Sequence, residues 1–205
     1  MNKAQMDDNV SKARGSEEIW NLPNILTMLR LALVPVFIIL MFIPSTACRW
    51  VALVVFMVAA ATDHFDGEIA RKRGLITDFG KIWDPIADKA LTLGAFIVLS
   101  ITGLLGWWFT IIVGVRELGI TWMRRRLLRR GIVVAANSGG KAKTVSQMFL
   151  IFLLVGPWTT WITAPAFATA LRWVTVAFIA IAFVLTVWSG GVYVVEAAKI
   201  VRKRS

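Results

Sequence analysis

The chain has 205 residues, 58% of them hydrophobic, yet carries a formal charge of +11. A composition so apolar excludes an ordinary soluble domain and points to a chain whose solvent is partly lipid. The single cysteine, Cys48, excludes an internal disulfide and a cysteine-built metal site.

Residues 1–20 are polar and mixed in charge, without the short apolar core and cleavage site of a signal peptide. They read as a cytoplasmic segment ahead of one membrane domain over 21–205. Six apolar stretches follow, at 25–43, 50–70, 81–102, 107–123, 144–162 and 171–199. Each is near the ~20 residues that cross a bilayer as a helix. None alternates like a barrel strand, so the predicted fold is an all-α integral membrane protein with six transmembrane helices. Pro35 and the run Ser189-Gly190-Gly191 are expected to bend or loosen the first and last helices.

Charge sets the orientation. The segment from Arg71 to Lys81 has four basic residues and that from Arg124 to Lys143 has seven, against only Arg49 and Arg172 in the intervening loops. The N-terminal segment adds three and the tail from Lys199 four. The positive-inside rule then places both termini and both basic loops in the cytoplasm. Most of the ten tryptophans, among them Trp20, Trp83, Trp107, Trp122 and Trp158, fall near span ends and read as interfacial belts. The arginine cluster at 124–130 suits anionic lipid heads, so no nucleic-acid partner is expected.

Six of the twelve acidic residues lie between Asp63 and Asp88. Asp63, Asp66 and Ala70 follow i, i+3, i+7 and share one helical face; Asp84 and Asp88 follow i, i+4 and share a face of the next helix. Asp63 lies about 12 Å inside the cytoplasmic end of its helix, and Asp88 lies similarly deep in the next. Four carboxylates at one level in reduced dielectric repel strongly, and burying even one unpaired is costly. Salt bridges to Arg71, Lys81 or Lys89 account for one or two of them. Divalent cations account for all four, and Mg²⁺ takes oxygen ligands and shares them with substrate phosphates. His64 and the acids Glu68 and Asp78 fall outside this set. The small residues Gly67, Ala70 and Gly80 leave room for a phosphate-bearing ligand, and Arg71 supplies a fork for its oxygens.

The string Asp63-x2-Asp66-Gly67-x2-Ala70-Arg71-x8-Gly80-x3-Asp84-x3-Asp88 resembles, without a departure, the signature of the CDP-alcohol phosphotransferase family. That resemblance implies a six-helix fold with a cytoplasm-facing site. It implies ligation of two divalent cations, Mg²⁺ or Mn²⁺, by Asp63, Asp66, Asp84 and Asp88, with Asp88 as general base. Cytidine-nucleotide contacts would come from Gly67, Ala70, Arg71, Thr77 and Gly80. The segment Leu22-Pro23-Asn24-Ile25-Leu26-Thr27 is similar to the start of the family's first helix, where Asn24 and Thr27 would approach the nucleotide. Homodimerisation is implied by the family alone.

The implied donor is CDP-diacylglycerol, whose tails stay among membrane lipids. The acceptor needs separate residues. Arg116 lies about 12 Å before the cytoplasmic Arg124, at the depth of the acids. Glu117 is either its structural partner or a bystander. Lys141 and Lys143 flank the predicted start of the fifth helix, whose N-terminus also favours anions. These three basic residues are candidates for an acceptor phosphate. Arg116-Glu117, the run Ser138-Gly139-Gly140-Lys141-Ala142-Lys143-Thr144 and Gln147 look like the bacterial branch of the family that uses sn-glycerol 3-phosphate. Inositol phosphate or phosphatidylglycerol as acceptor, within the same family, are the nearest alternatives. A divalent-cation transporter is the alternative of another class, disfavoured because the outer halves of the spans are nearly free of charge.

Overall fold

A computed structural model describes residues 21–73, 78–132 and 138–204, with side chains except at 23, 63–73, 78, 79, 81, 82, 138, 139, 203 and 204. The described residues form six α-helices and one 3₁₀ turn. They are α1 (Leu22–Phe42), α2 (Thr46–Arg73), α3 (Asp78–Ile101), α4 (Trp107–Leu128), α5 (Ser138–Val155), the turn Trp158–Thr160, and α6 (Pro165–Arg204). Neighbours run α1, α2, α5, α6, α4, α3 and back to α1, and α3 also touches α2 and α5. Each helix sends a fully buried side chain to one core: Phe37, Phe56, Phe96, Phe109, Leu150 and Ala182.

Polar bridges tie helix to helix inside that core. Ser100 and Thr110 share a hydrogen bond of 2.7 Å between α3 and α4, and Gln147 donates to Thr186 at 2.9 Å between α5 and α6. Each such bond contributes about 0.5–1.5 kcal/mol net, and losing one partner costs more because the other stays buried. The outer faces are different. Ile39, Val54, Ile97, Ile111 and Val184 are exposed, an apolar surface that water penalises. Among the described residues two stretches, Asn24–Phe42 in α1 and Pro165–Arg202 in α6, are by length and composition long and apolar enough to cross a membrane.

Several boundaries differ from the sequence reading. Hydropathy carries the fifth span to residue 162, but α5 stops at Val155 because Gly156 and Pro157 follow, and proline has no N–H to continue the ladder. The exposed carbonyls of that end are taken up by Arg49, which donates to the oxygens of Leu154 (2.9 Å) and Val155 (3.3 Å). The outlying basic residue of the topology therefore caps a helix. In contrast, α2, α4 and α6 run past their apolar stretches, since Arg, Lys and Glu are good helix formers that a hydropathy window does not count. Helix α6 is continuous from Pro165 to Arg204, through the run Ser189-Gly190-Gly191.

Helices α3 and α4 end on glycines with positive φ, Gly103 at 75° and Gly131 at 68°. Behind them Leu104 N–H bonds Leu99 O and Ile132 N–H bonds Leu127 O, the six-to-one closure of a Schellman cap. The cap at Gly103 turns the chain between α3 and α4, and that at Gly131 closes the end of α4.

Candidate active site

The start of α1 is fixed locally. Asn21 accepts the backbone N–H of Asn24 at 3.0 Å, and Pro23 sits in the first turn, where its missing N–H costs nothing. The face that follows is polar and buried: Asn24, Thr27 and Arg30 are 1%, 0% and 0% exposed. Beyond Arg30 the same face turns apolar with Val34, Phe37 and Met41. Thr27 Oγ1 donates to Asp84 Oδ1 at 2.5 Å, so a residue expected at the nucleotide holds an expected metal ligand on α3.

The backbone of α2 is helical through positions 63–73, which puts Asp63, Asp66 and Ala70 on one face. Their side chains, with those of His64, Gly67 and Arg71, lie outside the described residues, as does Thr77 entirely. Gly80 is buried near the start of α3. One and two turns later come Asp84 and Asp88, both half-buried, with Pro85 between them inside the helix. An all-oxygen carboxylate set of this kind fits a hard divalent cation.

On the other side of α3, three helices converge on a charged cluster. Glu117 of α4 accepts from Arg116 Nη1 at 2.9 Å and from Lys143 Nζ of α5 at 2.5 Å. Arg116 Nη2 reaches across to Ser189 of α6 at 2.9 Å. Its Nε is buried with no hydrogen-bond partner among the described residues. Gly190 permits this approach: a Cβ there would stand 3.1 Å from Arg116 Cγ, tighter than ordinary contact. Two turns along α4 and one turn along α6, Arg124 donates to Tyr193 at 3.4 Å and lies 5.5 Å over its ring.

These groups surround a cavity of about 340 Å³, lined by Arg116, Glu117, Arg124, Lys143, Ser189 and Tyr193 among others. A much smaller cleft of about 10 Å³ adjoins it, bordered by Asp88, Thr92, Glu117, Lys143 and Gln147. Lys143, 6% exposed, thus stands between the cluster and the fourth aspartate. Lys141 is exposed and is not part of either lining. The structure brings Thr27 to Asp84, and Arg116 to Lys143 through Glu117.

Three residues were missed in the sequence. Arg30 sits in the middle of an apolar span, where an arginine is a functional candidate by default, and that signal was available. Ser189 and Tyr193 had none, because a serine before two glycines and a lone tyrosine read as packing.

The sequence model of the CDP-alcohol phosphatidyltransferase family matches residues 20–190. The chain is 44% identical over 188 residues to a probable phosphatidylglycerophosphate synthase of Mycobacterium tuberculosis, covering 90% of this chain and 85% of that one. It is 38% identical over 149 residues to the CDP-diacylglycerol–glycerol-3-phosphate 3-phosphatidyltransferase of Bacillus subtilis, covering 67% and 77%. A protein of the same name from Shigella flexneri serotype 5b is 33% identical over 175 residues, covering 83% and 91%.

Proposed function

Because the chain belongs to the CDP-alcohol phosphatidyltransferase family, we propose that it transfers the phosphatidyl group of CDP-diacylglycerol to sn-glycerol 3-phosphate. The products are phosphatidylglycerophosphate and CMP. The observation that carries the acceptor is the cavity of about 340 Å³ that holds Arg116 and Lys143 and adjoins Asp88. A small phosphorylated alcohol fits there with its anion on the two cations and its free hydroxyl toward α3. The names of the relatives in Mycobacterium, Bacillus and Shigella support the same acceptor.

In this reading Asp63, Asp66, Asp84 and Asp88 hold two divalent cations, Mg²⁺ or Mn²⁺. When bound, these neutralise phosphate charge and favour departure of CMP. Thr27 keeps Asp84 oriented through its 2.5 Å hydrogen bond. Asn24, Gly67, Ala70, Arg71, Thr77 and Gly80 receive the cytidine nucleotide. Arg116 and Lys143 seat the acceptor phosphate, and Lys141, being exposed, draws anions toward the start of α5. The acceptor hydroxyl oxygen attacks the lipid-linked phosphorus and passes its proton to the Asp88 carboxylate. The bond from that phosphorus to the CMP oxygen breaks as the new one forms.

The site lies on the cytoplasmic side of a bacterial plasma membrane in this reading, with six spanning helices and both termini inside; the homodimer is inferred from the family alone. The basic loops, the two long apolar helices and the exposed apolar outer faces support that placement. The test is purified protein with labelled CDP-diacylglycerol, Mg²⁺ or Mn²⁺, and one acceptor at a time. CMP release with sn-glycerol 3-phosphate is expected. Release that needs inositol phosphate or phosphatidylglycerol, with glycerol 3-phosphate inert, overturns the assignment.

A further inference from the structure

Glu117 stands where the two hollows meet: with Lys89 and Lys143 it lines both the larger cavity and the cleft that reaches Asp88. Its side chain is only 13% exposed. A carboxylate in the wall of a phosphate site works against phosphate binding, so its presence needs a reason. One reason is cohesion, since Arg116 and Lys143 would otherwise face each other as buried like charges. That role uses one oxygen. Both cations contact Oε1, at 2.9 Å and 2.5 Å, and among the described residues Oε2 has no hydrogen-bond partner. With two cations beside it the carboxylate is ionised, so Oε2 can only accept.

The ligand that faces this oxygen can be specified. With its phosphate at Arg116 and Lys143 and its reacting hydroxyl at Asp88, the middle of the acceptor passes Glu117. In a phosphorylated glycerol that middle carbon carries a second hydroxyl, a donor. We propose that Glu117 is a specificity-determining residue whose Oε2 accepts a hydrogen bond from the acceptor's second hydroxyl. The site would then select a phosphorylated vicinal diol over a phosphorylated mono-alcohol. The proposal rests on the acceptor reading given above. Hydrogen bonds to a charged group are among the stronger ones, and a site built around a substrate hydroxyl discriminates against the analogue that lacks it.

The test compares sn-glycerol 3-phosphate with 3-hydroxypropyl phosphate, the same chain without the middle hydroxyl. CMP release gives kcat/KM for wild type, Glu117→Ala and Glu117→Gln. Wild type is expected to prefer the diol roughly tenfold to a hundredfold. In Glu117→Ala that preference should shrink to within about threefold, with the loss falling on the diol. Should the alanine variant not fold, Glu117→Gln carries the test. It keeps the shape with a weaker acceptor, and its preference should fall at least about threefold. If Glu117 serves only cohesion, both acceptors lose the same factor and the preference is unchanged, which overturns the proposal while leaving the acceptor reading intact. Wild type without a preference overturns it equally. Wild type inert toward glycerol 3-phosphate removes the acceptor reading and this proposal with it.

Discussion

Thr27 and Asp84, 57 positions apart in sequence, share a hydrogen bond of 2.5 Å between the second turns of α1 and α3. The threonine is fully buried and the aspartate half-buried, so water reaches the bond from the Asp84 side alone. Losing an outer partner of a metal ligand costs about tenfold to a hundredfold in metal affinity. Thr27→Val, which keeps the shape and removes the donor, should raise the Mg²⁺ concentration for half-maximal CMP release by about tenfold. Thr27→Ser should stay near wild type. An unaltered Mg²⁺ dependence in the valine variant would rule out the orienting role.

Asp88→Asn should lower turnover by about 10²–10⁴-fold, the range of a positioned general base. Circular dichroism and size-exclusion profiles in detergent should match wild type, since the amide is isosteric. Full activity in this variant would remove Asp88 from proton transfer.

Arg116→Ala and Lys143→Ala should each raise the acceptor KM by about tenfold or more and leave the KM for CDP-diacylglycerol alone. Gly190→Val should share this signature without touching either charge, because its Cβ would press on Arg116 from 3.1 Å. Lys141→Ala, at an exposed position, should change KM much less. Effects confined to the lipid substrate would contradict this placement of the acceptor.

Arg49→Ala should lower thermal stability without altering kcat. It removes both donors to the last carbonyls of α5, worth about 1–3 kcal/mol together. A melting curve in detergent beside the CMP assay separates the two effects. A fall in kcat at unchanged melting temperature would mean that this cap communicates with the site.

Orientation is open to a labelling experiment because Cys48 is the only cysteine. In a Cys48→Ser background, Thr46→Cys should react with a membrane-impermeant maleimide on intact spheroplasts. Arg130→Cys should react only after permeabilisation. Both positions are exposed, so the reverse pattern would invert the topology.

The helices were legible because their apolar stretches are long, and the carboxylate face because i, i+3 and i, i+4 spacings translate directly into geometry. The pairing of Thr27 with Asp84 was not, since no local rule links positions on helices that meet only after folding. Arg116, Lys141 and Lys143 were candidates for one anion, Arg116 by its depth in the span and the two lysines by their place at the start of the fifth helix, and the sequence does not separate the buried Lys143 from the exposed Lys141. That Glu117 bridges Arg116 and Lys143 depends on the crossing of α4 and α5, and the contribution of Ser189 and Tyr193 depends on where α6 returns. The end of α5 was misread because hydropathy outweighed Gly156-Pro157, although that dipeptide is the stronger local statement.

Helix α3 presents Asp84 to Thr27 of α1, and Asp88 to the cleft shared with Lys143 of α5. In the proposed reading the residues for the donor nucleotide all precede residue 89, and those for the acceptor all follow residue 115. The chain is thus divided like a tool with a fixed shank and an exchangeable head. New alcohol specificity can be written into α4, α5 and α6 while the cytidine-handling half stays untouched, and chimeras joined in the loop after α3 are the natural place to attempt it.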